Sequence, residues 1–514
     1  KLLCKNDIIN SYKKEMRRDS MEACRTRGAG VLLPVSALPS PYGIGTLGNA
    51  AYRFIDQLHA AGQTYWQVLP IGPTGFGNSP YQSYSAFAGN PYFIDLDRLA
   101  EQGLLTKNDM SKFDWGENPS CISYDKIAEH RLQLLQTAYE NSNHLYRSDY
   151  MEFCKKQEHW LDDYALFMAC KDHFGQCEWL KWNPDMKERD ASALMNYRIL
   201  LKEKIQFWKF CQYHFYQQWN DVKTYANKKG IYIIGDIPIY LALDSSDVWT
   251  HPELFLLDDE KQPKAVAGVP PDAFSDTGQL WGNPLYDWEH MEHTGFQWWK
   301  YRMACCSELY DFTRIDHFIG IVRYYEIPAG EETAIKGQWR QGPGAKLLHA
   351  IHEVIEPHRM IAEDLGVLTD EVTSLRKQMG YPGMKVLQFG FDGNPQNEHL
   401  PHNYEKDTVA YSGTHDNETV LGYFSAREEE RERACFYCNA TDLEELPNAF
   451  MRMLYGSVAD IAILQMQDIL SLPNTARMNF PSTIGDNWQW RLESEQFTDN
   501  IAEHMRQLAH IYGR

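Results

Sequence analysis

Apolar residues in this chain fall into two recurring patterns. Short apolar runs bounded by Gly, Pro or charged turns alternate with stretches in which apolar positions return every three or four residues. The first pattern predicts buried strands, the second amphipathic helices. Eight runs read as strands: 31–38, 65–71, 231–242, 312–319, 360–365, 384–391, 408–414 and 461–470. The last is ambiguous, because a buried helix has the same composition. Most are followed by helical periodicity, as at 50–61 after the first and 371–379 after the fifth. Strand and helix alternating in this way predict an α/β fold, a (β/α)8 TIM barrel, with its chemistry at the C-terminal ends of the strands.

The spacing is uneven. About 160 residues separate the second strand from the third, far more than one crossover helix needs. Helical patterns at 126–136, 160–174 and 198–228 predict a mainly helical inserted subdomain over 73–230. A second insertion, 244–309, lies between strands three and four and contains a Pro/Gly-rich loop. Little chain follows the eighth strand. The expected organisation is one catalytic barrel over 1–514, without a separate C-terminal β-domain.

Three strand ends carry the candidate chemistry: Arg314-Ile315-Asp316-His317, Ala362-Glu363-Asp364-Leu365-Gly366 and Thr414-His415-Asp416-Asn417. One charged carboxylate and one protonated carboxyl group are the minimum needed to break a glycosidic bond. A third carboxylate suits a site that must stabilise an oxocarbenium-like transition state. Side chains two apart on a strand share a face, so Phe312, Arg314 and Asp316 point the same way. The guanidinium would keep Asp316 ionised; a structural ion pair is the competing reading. Glu363 follows Ile361 on the inward face and would need a raised pKa to act as an acid, whereas Asp364 points outward and reads as structural. Asp236, at the end of strand three, either contacts substrate or holds an Arg or a loop. Two loops look suited to sugar, 76–83 with Tyr81 and 268–284 with Phe274, Gln279 and Trp281. Rings there match a pyranose face and amides its hydroxyls.

Composition narrows the alternatives. A net charge of −20 argues against nucleic acid or anionic membrane as partner and does not oppose a neutral ligand. No run approaches the ~20 apolar residues of a membrane helix, and residues 1–20 lack a secretory apolar core. The 11 cysteines are scattered, consistent with free thiols in a reducing cytoplasm. The Cys435/Cys438 pair and the His349/His352/His358 run lack the surroundings of a metal site, and no phosphate-binding glycine loop is present. No cofactor or metal is expected. Oligomeric state is not readable from these features.

The motifs resemble the 4-α-glucanotransferases of glycoside hydrolase family 77, the amylomaltases or disproportionating enzymes. The resemblance extends from Leu38-Pro-Ser-Pro-Tyr-Gly-Ile-Gly45 through Ser79-Pro-Tyr-Gln-Ser-Tyr-Ser-Ala-Phe-Ala-Gly-Asn-Pro91 to Asn487-Trp-Gln-Trp-Arg491. It implies Asp316 as nucleophile, Glu363 as acid/base and Asp416 as transition-state stabiliser. Arg314 and His415 would bind the reacting sugar, and Tyr81, Asp236, Phe274, Gln279, Trp281 and Phe389 would contact substrate. The implied activity is transfer of α-1,4-glucan segments from maltooligosaccharide donors to glucose or another maltodextrin, with net retention and without a cofactor.

Overall fold

The computed structural model describes residues 25–271 and 275–514. Phe274, expected in a substrate loop, lies outside the described residues. Twelve strands are present among those described: β1 Gly28–Leu32, β2 Tyr65–Gln67, β3 Tyr232–Ile237, β4 Ala265–Val269, β5 Gln279–Pro284, β6 Phe312–Ile315, β7 Arg323–Pro328, β8 Gln338–Gln341, β9 Met360–Ala362, β10 Gly383–Val386, β11 Thr408–Tyr411 and β12 Ile461–Gln465.

Eight of them form a parallel sheet in the order β10-β11-β12-β1-β2-β3-β6-β9. Each overlaps one of the eight apolar runs, although β1 begins three residues before its run and shares only Val31 and Leu32 with it, and the ambiguous eighth proves to be strand β12 followed by a single helical turn, Met466–Ile469. The two ends of the sheet meet. Ala362 N–H donates to the Pro382 carbonyl at 3.1 Å. Proline has no N–H to return that bond. Asp364 completes the seam instead, accepting Met384 N–H at 2.7 Å while Arg376 Nε lies 2.9 Å from its other oxygen. The outward-facing carboxylate thus closes the (β/α)8 barrel.

The barrel interior follows from register. Tyr65, Tyr232 and Phe312 meet ring to ring near its N-terminal end, with Tyr65 and Phe312 centroids 5.8 Å apart. Further along, Tyr411 donates to Gln67 at 2.8 Å. At the opposite end polar groups take over. Asp236 on β3 lies directly across from Arg314 on β6, and Arg314 across from Ile361 on β9. Directly opposed residues project to the same face. This places Asp236, Arg314 and, two residues beyond Ile361, Glu363 at one mouth.

Helices clad the outside for ordinary reasons. Asn49–Ala60 buries Ala51, Phe54, Ile55 and Leu58, one stripe of helical spacing. It packs against Asp499–Tyr512, which is capped by the Thr498 side chain and ends at Gly513 in the left-handed region. The β2–β3 connection holds helices Tyr124–Glu140, Ser148–Lys156, Leu161–His173 and Ala191–Leu200 before the long Lys202–Lys228. Two glutamines of that last helix act as backbone surrogates. Gln212 bonds both the N–H and C=O of Gly89, and Gln218 both those of Asp95. The loop leaving β2 is anchored in this way.

A second sheet, antiparallel in the order β5-β4-β7-β8, was not legible in the sequence. Strands β4 and β5 contain Gly, β5 and β7 end in Pro, β8 is exposed at every position, and β4 pairs with β7 across the intervening barrel strand β6, so no run of clean alternation marks them. No strand follows β12 among the described residues, and none of the described helices is long and apolar enough to cross a membrane.

Candidate active site

At the mouth Arg314 is the hub. Its Nη1 reaches both Asp236 carboxylate oxygens at 2.6 Å and Asp316 Oδ1 at 2.9 Å. Its Nε points at Met384 Sδ, 3.3 Å away. Asp236 is fully buried, so its charge is tolerated only because the guanidinium is beside it. Tyr81 OH donates to the same carboxylate at 2.8 Å. Of the two readings of Asp236, the structure shows the hold on Arg314 and on the Tyr81 loop. Asp316 is more open, with a side chain 29% exposed.

Glu363 is closely bound. Its N–H continues the ladder to the Ile315 carbonyl. Its carboxyl oxygens accept the N–H of His317 at 2.6 Å and of Leu365 at 2.9 Å. Burial and the charge of Asp316 push its pKa up to about 8, against the counteracting pull of Arg314 and the two N–H groups. It therefore holds a proton at neutral pH.

His317 adopts φ 53°, unusual for a residue with a side chain. That turn aims its N–H at Glu363 and links the strand of Asp316 to the strand of Glu363. Its ring meets Trp281 edge to face at 4.8 Å, and burial lowers its pKa to about 4, leaving it neutral. Trp281 is braced in turn by an Nε1–H bond to Gln279 Oε1 at 3.1 Å. Strand β5 thus delivers Gln279 and Trp281 to the residue adjoining Asp316.

On the opposite side His415 and Asp416 form a pair, Nε2 to Oδ2 3.3 Å. Burial opposes charge on both. The mutual interaction outweighs it, holding Asp416 down to about 2, with help from Asn479 Nδ2 at 2.6 Å, and raising His415 above its ordinary value. Tyr81 stacks on His415 at 5.0 Å, and Trp488 lies against both rings. Asp416 itself stays open, its side chain 44% exposed.

The structure thus brings together Tyr81, Asp236, Arg314, Asp316, Glu363, His415 and Asp416, with Gln279 and Trp281 alongside. Phe389 sits in the turn Leu387–Gly390 after β10, its ring edge-on to His399 at 5.6 Å. Sequence reasoning had assigned no part to Asn479, Trp488 or the His317 and Leu365 N–H groups. Trp488 lay within a motif carrying the resemblance. Backbone donors leave no residue-type signal. Among the described residues, no three His, Cys, Asp or Glu side chains group as a metal site would need.

Residues 33–497 match the family model described as 4-alpha-glucanotransferase, of glycoside hydrolase family 77. The chain belongs to this family. Among its relatives, the 4-alpha-glucanotransferase of Clostridium butyricum is 50% identical over 483 residues, covering 93% of this chain and 99% of its own. That of Streptococcus pneumoniae is 46% identical over 496 residues, covering 95% and 98%. Among solved structures, amylomaltase from Streptococcus agalactiae in complex with acarbose superposes with a TM-score of 0.92 at 42% identity, covering 95% of this chain and 99% of that one. The chain is therefore a 4-α-glucanotransferase by class, on a (β/α)8 barrel.

Proposed function

We propose that this enzyme moves α-1,4-glucan segments between maltooligosaccharides by double displacement, with glucose among its acceptors, in the cytoplasm. Asp316 attacks the anomeric carbon while Glu363 gives its proton to the departing glycosidic oxygen. A covalent glycosyl-enzyme results. Glu363, now a carboxylate, takes the proton from the 4-hydroxyl of an incoming sugar, and that oxygen displaces Asp316. Two inversions leave the α configuration unchanged. Asp416, held ionised and open, faces the positive charge that develops on the ring, and the His415 imidazole beside it binds a hydroxyl. Arg314 orients Asp316.

The observation that carries this reading is Glu363: a buried carboxyl with its pKa pushed up to about 8, beside an Asp held by a guanidinium. Neighbouring carboxyl groups with environments this different suit an acid and a nucleophile. The acarbose complex of the streptococcal amylomaltase supports an α-glucan oligosaccharide as the ligand.

Maltotriose tests it. Transfer yields a ladder of longer dextrins together with glucose, resolved by chromatography, and a fluorosugar donor labels Asp316. Glucose and maltose alone would make the enzyme a hydrolase, and a label on another residue would overturn the nucleophile.

A further inference from the structure

Strand β12 supplied no candidate residue to the site, yet the turn after it reaches the loop that bears Asp416. That loop leaves β11 at Ser412 and enters helix Val420–Ser425. Both stems converge on one buried carboxylate. Ser412 Oγ donates to Asp468 Oδ2 at 2.6 Å, and Val420 N–H donates to Asp468 Oδ1 at 2.7 Å. Asp468 lies in the helical turn Met466–Ile469 and is 4% exposed. Ser412 is fixed further by its N–H to the Ile463 carbonyl and by accepting Gln465 N–H, each at 3.2 Å. At Gly413 the stem passes close to the Gln465 side chain: an added Cβ would lie 2.2 Å from its Nε2, so a larger residue there would have to displace that amide. Within the loop, Asn417 Oδ1 accepts the Thr414 N–H and hydroxyl at 2.7 and 2.9 Å. A loop braced internally in this way moves as a unit; Asn479 and Arg477, the latter donating to the Asp416 carbonyl at 2.6 Å, hold its tip, and its stems are held separately.

We propose that Asp468 is a positioning residue for Asp416, gripping both stems of the loop so that the Asp416 carboxylate stands at the reacting sugar. This rests on Asp416 acting as transition-state stabiliser. Burial pushes the Asp468 carboxyl up to about 6 while its two loop bonds draw it back, so above that pH it accepts both bonds as a carboxylate. Misplacement of a catalytic group by about 1 Å can lower a rate by about 10²-fold.

The test measures kcat and KM on α-maltosyl fluoride, a donor reactive enough to follow in weak variants. Asp468→Leu leaves the Ser412 hydroxyl proton and the Val420 N–H without an acceptor. It lowers kcat by about 10-fold or more with KM changed less than about 3-fold, the pattern of an interaction expressed in the transition state. Asp468→Asn recovers most of the loss, because its amide oxygen accepts Val420 N–H and its amide N–H donates to Ser412. In an Asp416→Asn background the further change Asp468→Leu has an effect below about 2-fold, since the group being positioned is gone. Should Asp468→Leu not fold, Ser412→Ala removes one grip and lowers kcat in the same direction by a smaller factor. An Asn variant as poor as Leu, or an undiminished Leu factor in the Asp416→Asn background, overturns the inference alone. An Asp416→Asn enzyme with parental kcat overturns the reading of Asp416 and this inference with it.

Discussion

Glu363 and Arg314 show how much of this site is bought with stability. The Glu363 carboxyl keeps its proton in the folded enzyme up to about pH 8, against an ordinary value of 4.5. Below about 4.5 it is neutral in both folded and unfolded chains. Between 4.5 and 8 the unfolded chain ionises while the folded one does not, so folded-state stability declines as pH rises; above 8 the deficit is constant. Glu363→Gln cannot ionise. Whatever offset follows from losing one backbone N–H bond, the stability difference should move toward the Gln variant from pH 4.5 to 8 and then level off, as read by urea midpoints across pH. Transfer should fall about 10²–10⁴-fold in the same variant. A pH-independent difference would show that Glu363 is not held protonated. Arg314 carries a different cost. Arg314→Leu strands the buried Asp236 without its cation, a loss on the order of 3–5 kcal/mol in urea denaturation. Arg314→Leu with Asp236→Leu should regain much of that stability and none of the activity.

At the scale of elements, the proposed transfer reaction assigns acceptor binding to strand β5 and the loop after β2. Water is present at about 55 M, while a well-held acceptor can reach effective molarities of about 10⁵ M or more. On the proposed mechanism an acceptor must therefore be held, and we assign this to Trp281, which is braced by Gln279 and packed on His317. Trp281→Ala should reduce transfer more than hydrolysis on maltotriose. The measured quantity is the ratio of oligosaccharide formed to reducing ends gained. Equal loss of both would mean that Trp281 only binds donor. The barrel seam is a second element-scale case. Asp364→Ala removes the acceptor of Met384 N–H and the partner of the buried Arg376 together, so the urea midpoint should drop strongly. Glu363, next in the chain, should then lose activity as its strand loosens.

For the whole molecule, the net charge of −20 makes ionic strength informative. A neutral glucan has no net charge to steer, so KM for maltotriose should change by less than about 2-fold between low and high salt. A larger dependence would point to a charged substrate. The pH profile is set by the site: donor cleavage should fall by about tenfold per pH unit well above 8, as Glu363 gives up its proton. Retention of full activity at pH 10 would argue against it as the acid.

Eight apolar runs and their helical intervals were enough to read the barrel, because strands buried on both faces must be apolar throughout and therefore stand out locally. The acids at the ends of β6, β9 and β11 were legible as a set, since a single strand-end carboxylate is usually structural, as Asp364 and Asp468 prove to be, whereas three with Arg and His attached are not readily explained that way. What the tertiary structure alone decided is contact between distant segments. It paired Asp236 with Arg314, turned the His317 N–H onto Glu363 and brought Asn479 to Asp416 across 63 residues of chain. It also built the β5-β4-β7-β8 sheet from strands that are partly exposed or interrupted by Gly or Pro, and so carry no continuous apolar run. Local pattern records whether a residue is buried. Which partner it meets there depends on register and closure, and those are properties of the folded chain.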